Sequence, residues 1–174
     1  MNLKIIDKKI WYSIFLVFIL AISRIIPHPP NFTPVISIVI LGGILFRSFF
    51  LCMIVFILAM LISDLLIGLH HNMIYIYLTL IFIGYIFFNF ANKTNLKNLW
   101  IFSLAGSTIF FIITNFFVWL NSGLYEKNIE GILSCYTMAL PFFTNTIFST
   151  LFFSYLTYIA INYFNNDFKF IFKN

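Results

Sequence analysis

The stretch SFFLCMIVFILAMLISDLLIG, residues 48–68, decides the fold. It runs for 21 residues with one charge, Asp64. A helix crossing a hydrocarbon core of about 30 Å needs roughly 20 apolar residues, and this segment supplies them without a break. Its apolar character is continuous and not alternating, which favours a helix over a barrel strand. Five further runs of the same kind lie at 10–26, 34–46, 73–90, 99–120 and 139–163. The expected fold is therefore all-α: one domain, 1–174, forming an integral membrane bundle of six transmembrane helices. Thr33 is placed to cap the second span, with Pro34 at its first helical position. That span is short, so it tilts little or starts below the surface. Pro141 interrupts an apolar run beginning at Ile132, and 131–140 reads as a short interfacial or re-entrant helix leading into the sixth span.

Composition excludes other classes. Of 174 residues, 62% are hydrophobic, 21% aromatic and 9% charged, and mean hydropathy is +1.03. A soluble domain carries about 25% charged residues, so a soluble enzyme, a nucleic-acid-binding module and a disordered tail are ruled out. The net charge of +5 comes from Lys and Arg scattered in ones and twos, with no basic stripe for nucleic acid. Cys52 and Cys135 lie in apolar stretches without CxxC spacing, so they mark neither a disulfide framework nor a zinc site. There is no GxxxxGK[ST], no HExxH, no GxSxG and no intramembrane pair of aspartates. No enzyme chemistry and no cofactor is expected.

Orientation follows from the basic residues. Lys4, Lys8, Lys9, Arg47, Lys93, Lys97, Lys169 and Lys173 fall on one side of a six-span bundle, and only Arg24 and Lys127 on the other. The positive-inside rule then puts both termini in the cytoplasm. Lys8-Lys9, an apolar core and Ala21-Ile22-Ser23 also have the form of a signal peptide. Cleavage there would leave five spans and the same outward loops, but Arg24 and the Pro-rich loop after it read as working parts.

The polar residues gather on the outward side. Loop one carries His28 and Asn31 among four prolines, which stiffen it and remove backbone donors. Loop three carries His70 and His71, and loop five carries Tyr125. Asp64 and Arg24 sit about one turn inside spans three and one, and as the only charges within spans they are expected to pair. Asn115 and Asn145 lie one to two turns inside the fifth and sixth spans, and Asn115 shares a helix face with Trp119 at i, i+4. The expectation is an outward-open pocket built from Arg24, His28, Asn31, Asp64, His70, Asn115, Trp119, Tyr125 and Asn145. Plainer roles stand beside it. The Arg24–Asp64 pair also serves as a bolt between spans one and three, Trp119 and Tyr125 also suit an interfacial belt, and Gly42, Gly43 and Gly106 suit close helix contact.

Several blocks carry a resemblance: RIIPHPPNFTP at 24–34, Gly42-Gly43, MLISDLLIGLH at 60–70, TNFFVWLNSGLY at 114–125 and CYTMALPFFTNT at 135–146. Together they resemble an uncharacterised family of small bacterial membrane proteins. Its architecture is similar to that of the substrate-binding S components of energy-coupling factor vitamin transporters. The resemblance implies a protein of the bacterial inner membrane with an outward pocket closed by loops one, three and five. It further implies a small vitamin-like substrate and an energising transmembrane subunit with two ATPases as partner. Many S components dock that subunit through Ala-x-x-x-Ala on the first helix, where this chain has Ser13, Val17 and Ala21. Two other readings remain open: a divalent-metal (Co/Ni-type) permease using Asp64, His70 and His71, and a non-transporting assembly factor or intramembrane enzyme.

Overall fold

The structure is a computed structural model that describes residues 3–46, 48–70 and 72–163. Arg47, His71, Lys169 and Lys173 lie outside the described residues. Among the described residues there are six α-helices and no strands. They are α1 (Leu3–Ile25), α2 (Val35–Phe46), α3 (Phe49–Ile67), α4 (Met73–Asn89), α5 (Leu96–Asn121) and α6 (Ile129–Tyr163), with a short 3₁₀ turn at Ala91–Lys93.

Local chemistry sets the helix ends. The Pro34 carbonyl accepts from Ile38 N (3.0 Å) and Ser37 Oγ (2.6 Å), so Pro34 and not Thr33 occupies the cap position of α2. Ser48 Oγ accepts from Leu51 N at the start of α3, and Gly68, at φ 124°, closes it by donating to the Asp64 carbonyl (2.9 Å). Asn95 Oδ1 accepts from Lys97 N and Asn98 N, starting α5 three residues before the apolar run at Leu99. Asn128 Oδ1 accepts from Gly131 N (2.8 Å), which starts α6 at Ile129. From there α6 runs unbroken through Pro141, in place of the separate 131–140 helix expected. Proline removes one backbone donor, and a long helix packed against neighbours tolerates that loss.

Packing makes α2 the hub. Ten of its twelve residues are buried, so it is surrounded, touching α3, α4, α5 and α6. The short second apolar run is thus a central helix and not a peripheral one. Glycines allow the approach: a Cβ on Gly106 of α5 would lie 2.7 Å from Ile40 Cδ1, and one on Gly42 would overlap Cys52 Sγ. α1 packs on α3, and α5 pairs with α6. The outside of the bundle is apolar, with Phe15 and Phe18 of α1, Leu58 and Leu65 of α3, and Phe148 and Phe152 of α6 all exposed. Three helical stretches, Phe49–Ile67, Leu96–Asn121 and Ile129–Ala160, are long and apolar enough to cross a membrane. Ile14–Ile25, Val35–Phe46 and Met73–Asn89 are shorter and also apolar.

Candidate functional site

Arg24, in the last turn of α1, reaches across to α3. Its Nη2 donates to Asp64 Oδ1 at 2.5 Å, and its Nη1 donates to the Met60 carbonyl at 3.2 Å and to Ser63 Oγ. The other carboxylate oxygen, Asp64 Oδ2, accepts from the Tyr77 hydroxyl of α4 at 2.5 Å. Asp64 is 1% exposed and the Arg24 side chain 16%. The expected pair therefore exists, and it ties three helices together. Both Asp64 oxygens are engaged from within the protein, so the carboxylate is a counter-ion behind Arg24. Tyr77 and Ser63 were not among the expected site residues. A tyrosine inside an apolar span needs a partner for its hydroxyl, and that was the signal in the sequence.

In front of Arg24 opens a cavity of about 270 Å³. Its polar lining is Arg24, His28, Asn31, Thr33 and Thr146, and its apolar lining includes Ile36, Met60, Ile76, Leu80 and Phe110. A second cavity of about 170 Å³ shares Asn31, Ile76, Phe110 and Thr146 with the first. It continues between α5 and α6 past Thr114, Asn115 and Phe143. Among the described residues no acidic side chain lines either cavity.

Loop one, residues 26–34, supplies one wall. Asn31 has φ 62°, a left-handed conformation that Asn tolerates better than most residues. Its carbonyl accepts from Ser149 Oγ at 3.2 Å, and Asn145 Nδ2 donates to the Pro30 carbonyl at 3.0 Å. Asn145 thus fastens the loop to α6 and does not line either cavity. His28 Nδ1 lies 2.9 Å from the Pro29 carbonyl, which only accepts, so this hydrogen bond forms in the tautomer with the proton on Nδ1; Nε2 has no protein partner among the described residues. Asn115 lines the second cavity while its Nδ2 donates to its own helix at the Phe111 carbonyl. The Cys135 thiol donates to the Asn115 backbone carbonyl at 3.5 Å.

The structure does not bring Trp119 and Tyr125 to these cavities. Trp119 Nε1 donates to the Glu126 carbonyl at 2.9 Å, and Lys127 Nζ lies 5.2 Å from the centre of the Trp119 ring. The same ammonium donates to the Trp119 and Leu120 carbonyls, where a cation complements the α5 C-terminus. These residues pin the tip of the α5–α6 hairpin. Tyr125 is half-buried in the same connection. His70 is exposed just beyond the α3 cap. Among the described residues no three His, Cys, Asp or Glu side chains come together as a metal site.

Comparison with known proteins is spare. No curated protein and no solved structure matches the chain. One family model matches residues 4–171, nearly the whole length, and the chain belongs to that family, the family of unknown function DUF6580.

Proposed function

We propose that the chain is a multi-pass protein of the bacterial inner membrane that captures a small water-soluble, vitamin-like compound from the outer side, in the manner of an S component. Its six helices form the spanning bundle, and both termini lie in the cytoplasm. The observation that carries the reading is the cavity of about 270 Å³ held against a half-buried guanidinium, inside a bundle whose exterior is apolar. Sites of this kind, mostly apolar with a few placed polar groups, are the usual form of small-molecule sites. An apolar exterior of this extent is unsuited to water and suited to lipid. A charge deep in a bundle is costly, and its usual role is at a ligand pathway or an ion pair.

Loop one supplies a means of entry. Two side chain–backbone hydrogen bonds, from Asn145 to Pro30 and from Ser149 to Asn31, hold it against α6. Each contributes a net of about 0.5–1.5 kcal/mol, and the Phe32 ring adds apolar contacts to Phe152 and Phe153 of α6, so admitting a solute by opening the loop breaks both kinds of contact. The stiff prolines make it move as a unit. Energy for release into the cell would come from a separate subunit with ATPases, since this chain has no nucleotide-binding loop.

A thermal-shift screen of the purified full chain against vitamins, their precursors and divalent metals tests the proposal. A ligand at a hundredfold excess over its Kd adds about 2.7 kcal/mol of apparent stability. The expected outcome is a selective shift with one small organic compound. A shift with cobalt, nickel or zinc alone would replace capture with the metal-permease reading, and no shift with any compound would contradict capture.

A further inference from the structure

We infer that the cavity in front of Arg24 selects an anion: a carboxylate or phosphate group carried on a small apolar body. The inference rests on the capture reading and adds the chemical class of what is captured.

The Arg24 guanidinium has five N–H groups and accepts nothing. Three of them are engaged, by the Met60 carbonyl, Ser63 Oγ and Asp64 Oδ1. The Nε–H and the second Nη2–H have no protein acceptor among the described residues. Asp64 cannot turn to meet them, because its two oxygens are held by Arg24 and Tyr77 and it lies outside the cavity lining. Whatever enters must therefore bring its own acceptors. Two oxygens on one atom, as in a carboxylate or a phosphate, match a forked donor best.

The rest of the lining agrees in sign. Thr33 and Asn31 add neutral donors, and the His28 ring lines the same cavity. Among the described residues no Asp or Glu lines either cavity, so neither offers an amine or a metal cation a negative charge. Beyond the polar end the walls are Ile36, Met60, Ile76, Leu80 and Phe110, which suit a hydrocarbon or a ring and leave further charge unsolvated. The ion pair behind Arg24 holds its charge in place while leaving one edge of the guanidinium toward the cavity. Because the site is walled by apolar side chains, hydrogen bonds to that edge are less weakened by water.

The same group could arrive on a soluble metabolite or on a lipid headgroup, and the experiment separates the two. The full chain in detergent is titrated, with binding read by thermal shift and equilibrium dialysis. The probes are nicotinate and 4-aminobenzoate, their amides, 1-methylnicotinamide, and the dioctanoyl forms of phosphatidylglycerol and phosphatidylcholine. The expected result is that each carboxylate binds at least tenfold more tightly than its amide, and that 1-methylnicotinamide does not bind. Arg24→Lys keeps the charge next to Asp64 but loses the fork, and should weaken carboxylate binding about tenfold. His28→Gln, at an exposed loop position that leaves the core untouched, should weaken it less.

Binding of phosphatidylglycerol alone would keep the anion inference and remove the soluble solute from the capture reading. Amides or 1-methylnicotinamide binding as well as the carboxylates would overturn the anion inference and leave capture standing. No binding in any class would overturn both.

Discussion

Replacing Asp64 with Asn is expected to destabilise the folded chain by about 3–5 kcal/mol, the usual consequence of removing one partner from a buried ion pair. The substitution keeps the size of the side chain and one acceptor oxygen for Tyr77, and it removes both the charge that balances Arg24 and the oxygen that accepts from it. The guanidinium, 16% exposed, would then face only the Met60 carbonyl and Ser63 Oγ on its protein side. Arg24→Met together with Asp64→Leu removes both charges and should recover most of the loss, because a well-packed apolar pair often matches a buried ion pair in stability. Unfolding in mixed micelles, run as a double-mutant cycle, measures the coupling. A loss below about 1 kcal/mol for Asp64→Asn, the range of solvent-exposed pairs, would contradict the sealed network between α1, α3 and α4.

The second large effect concerns Thr146. This residue is 2% exposed, lines both cavities and bonds its hydroxyl to the Phe142 carbonyl of its own helix. Thr146→Phe keeps the helix and its backbone hydrogen bonds and puts a ring at a position that borders both cavities. Affinity for the captured solute should fall by roughly a hundredfold, equivalent to about 2.7 kcal/mol. Stability should change little, because the ring fills existing space and not a packed core. Equilibrium dialysis of the variant with the ligand from the stability screen provides the check. Unchanged affinity would mean that the solute does not occupy this space.

Much of the architecture was legible in the order of apolar runs. The run at 48–68 became Phe49–Ile67, and that at 73–90 became Met73–Asn89. The Arg24–Asp64 pair was legible because two opposite charges stood alone in apolar spans, where each needs the other. Helix starts at Leu96 and Ile129 were missed because Asn95 and Asn128 cap them upstream of the apolar run, so hydropathy registers the helix late. The central place of α2 was hidden for a different reason. Helices that are apolar all round carry no periodic signal saying which of them is surrounded by the others.

Trp119 and Tyr125 lie away from the two cavities. Trp119 was expected there because it shares a face with Asn115, whose depth was counted from a helix end, and Tyr125 because of its loop alone. That count assumes helices ending at one level. α3 has 19 residues and spans about 29 Å, whereas α6 has 35 and spans about 52 Å at 1.5 Å per residue. One turn from the end of α5 is therefore not the depth of one turn from the end of α3. Asn115, a turn deeper than Trp119, lines the second cavity, while Trp119 stays at the hairpin tip with Glu126 and Lys127. Thr146 escaped notice because a lone hydroxyl in an apolar run ordinarily bonds its own helix, as this one does.

Thiol labelling of intact cells tests most directly whether the proposed solute cavity opens to the outer side of a membrane-spanning bundle. Cys52 and Cys135 are buried, so the wild-type chain serves as background. His28→Cys places a thiol at the lining of the larger cavity, and Lys97→Cys places one at the start of α5, at the opposite end of the bundle. A small membrane-impermeant thiol reagent should label His28→Cys in intact cells and Lys97→Cys only after permeabilisation. Labelling of Lys97→Cys from outside with protection of His28→Cys, or equal labelling of both in intact cells, would contradict the account.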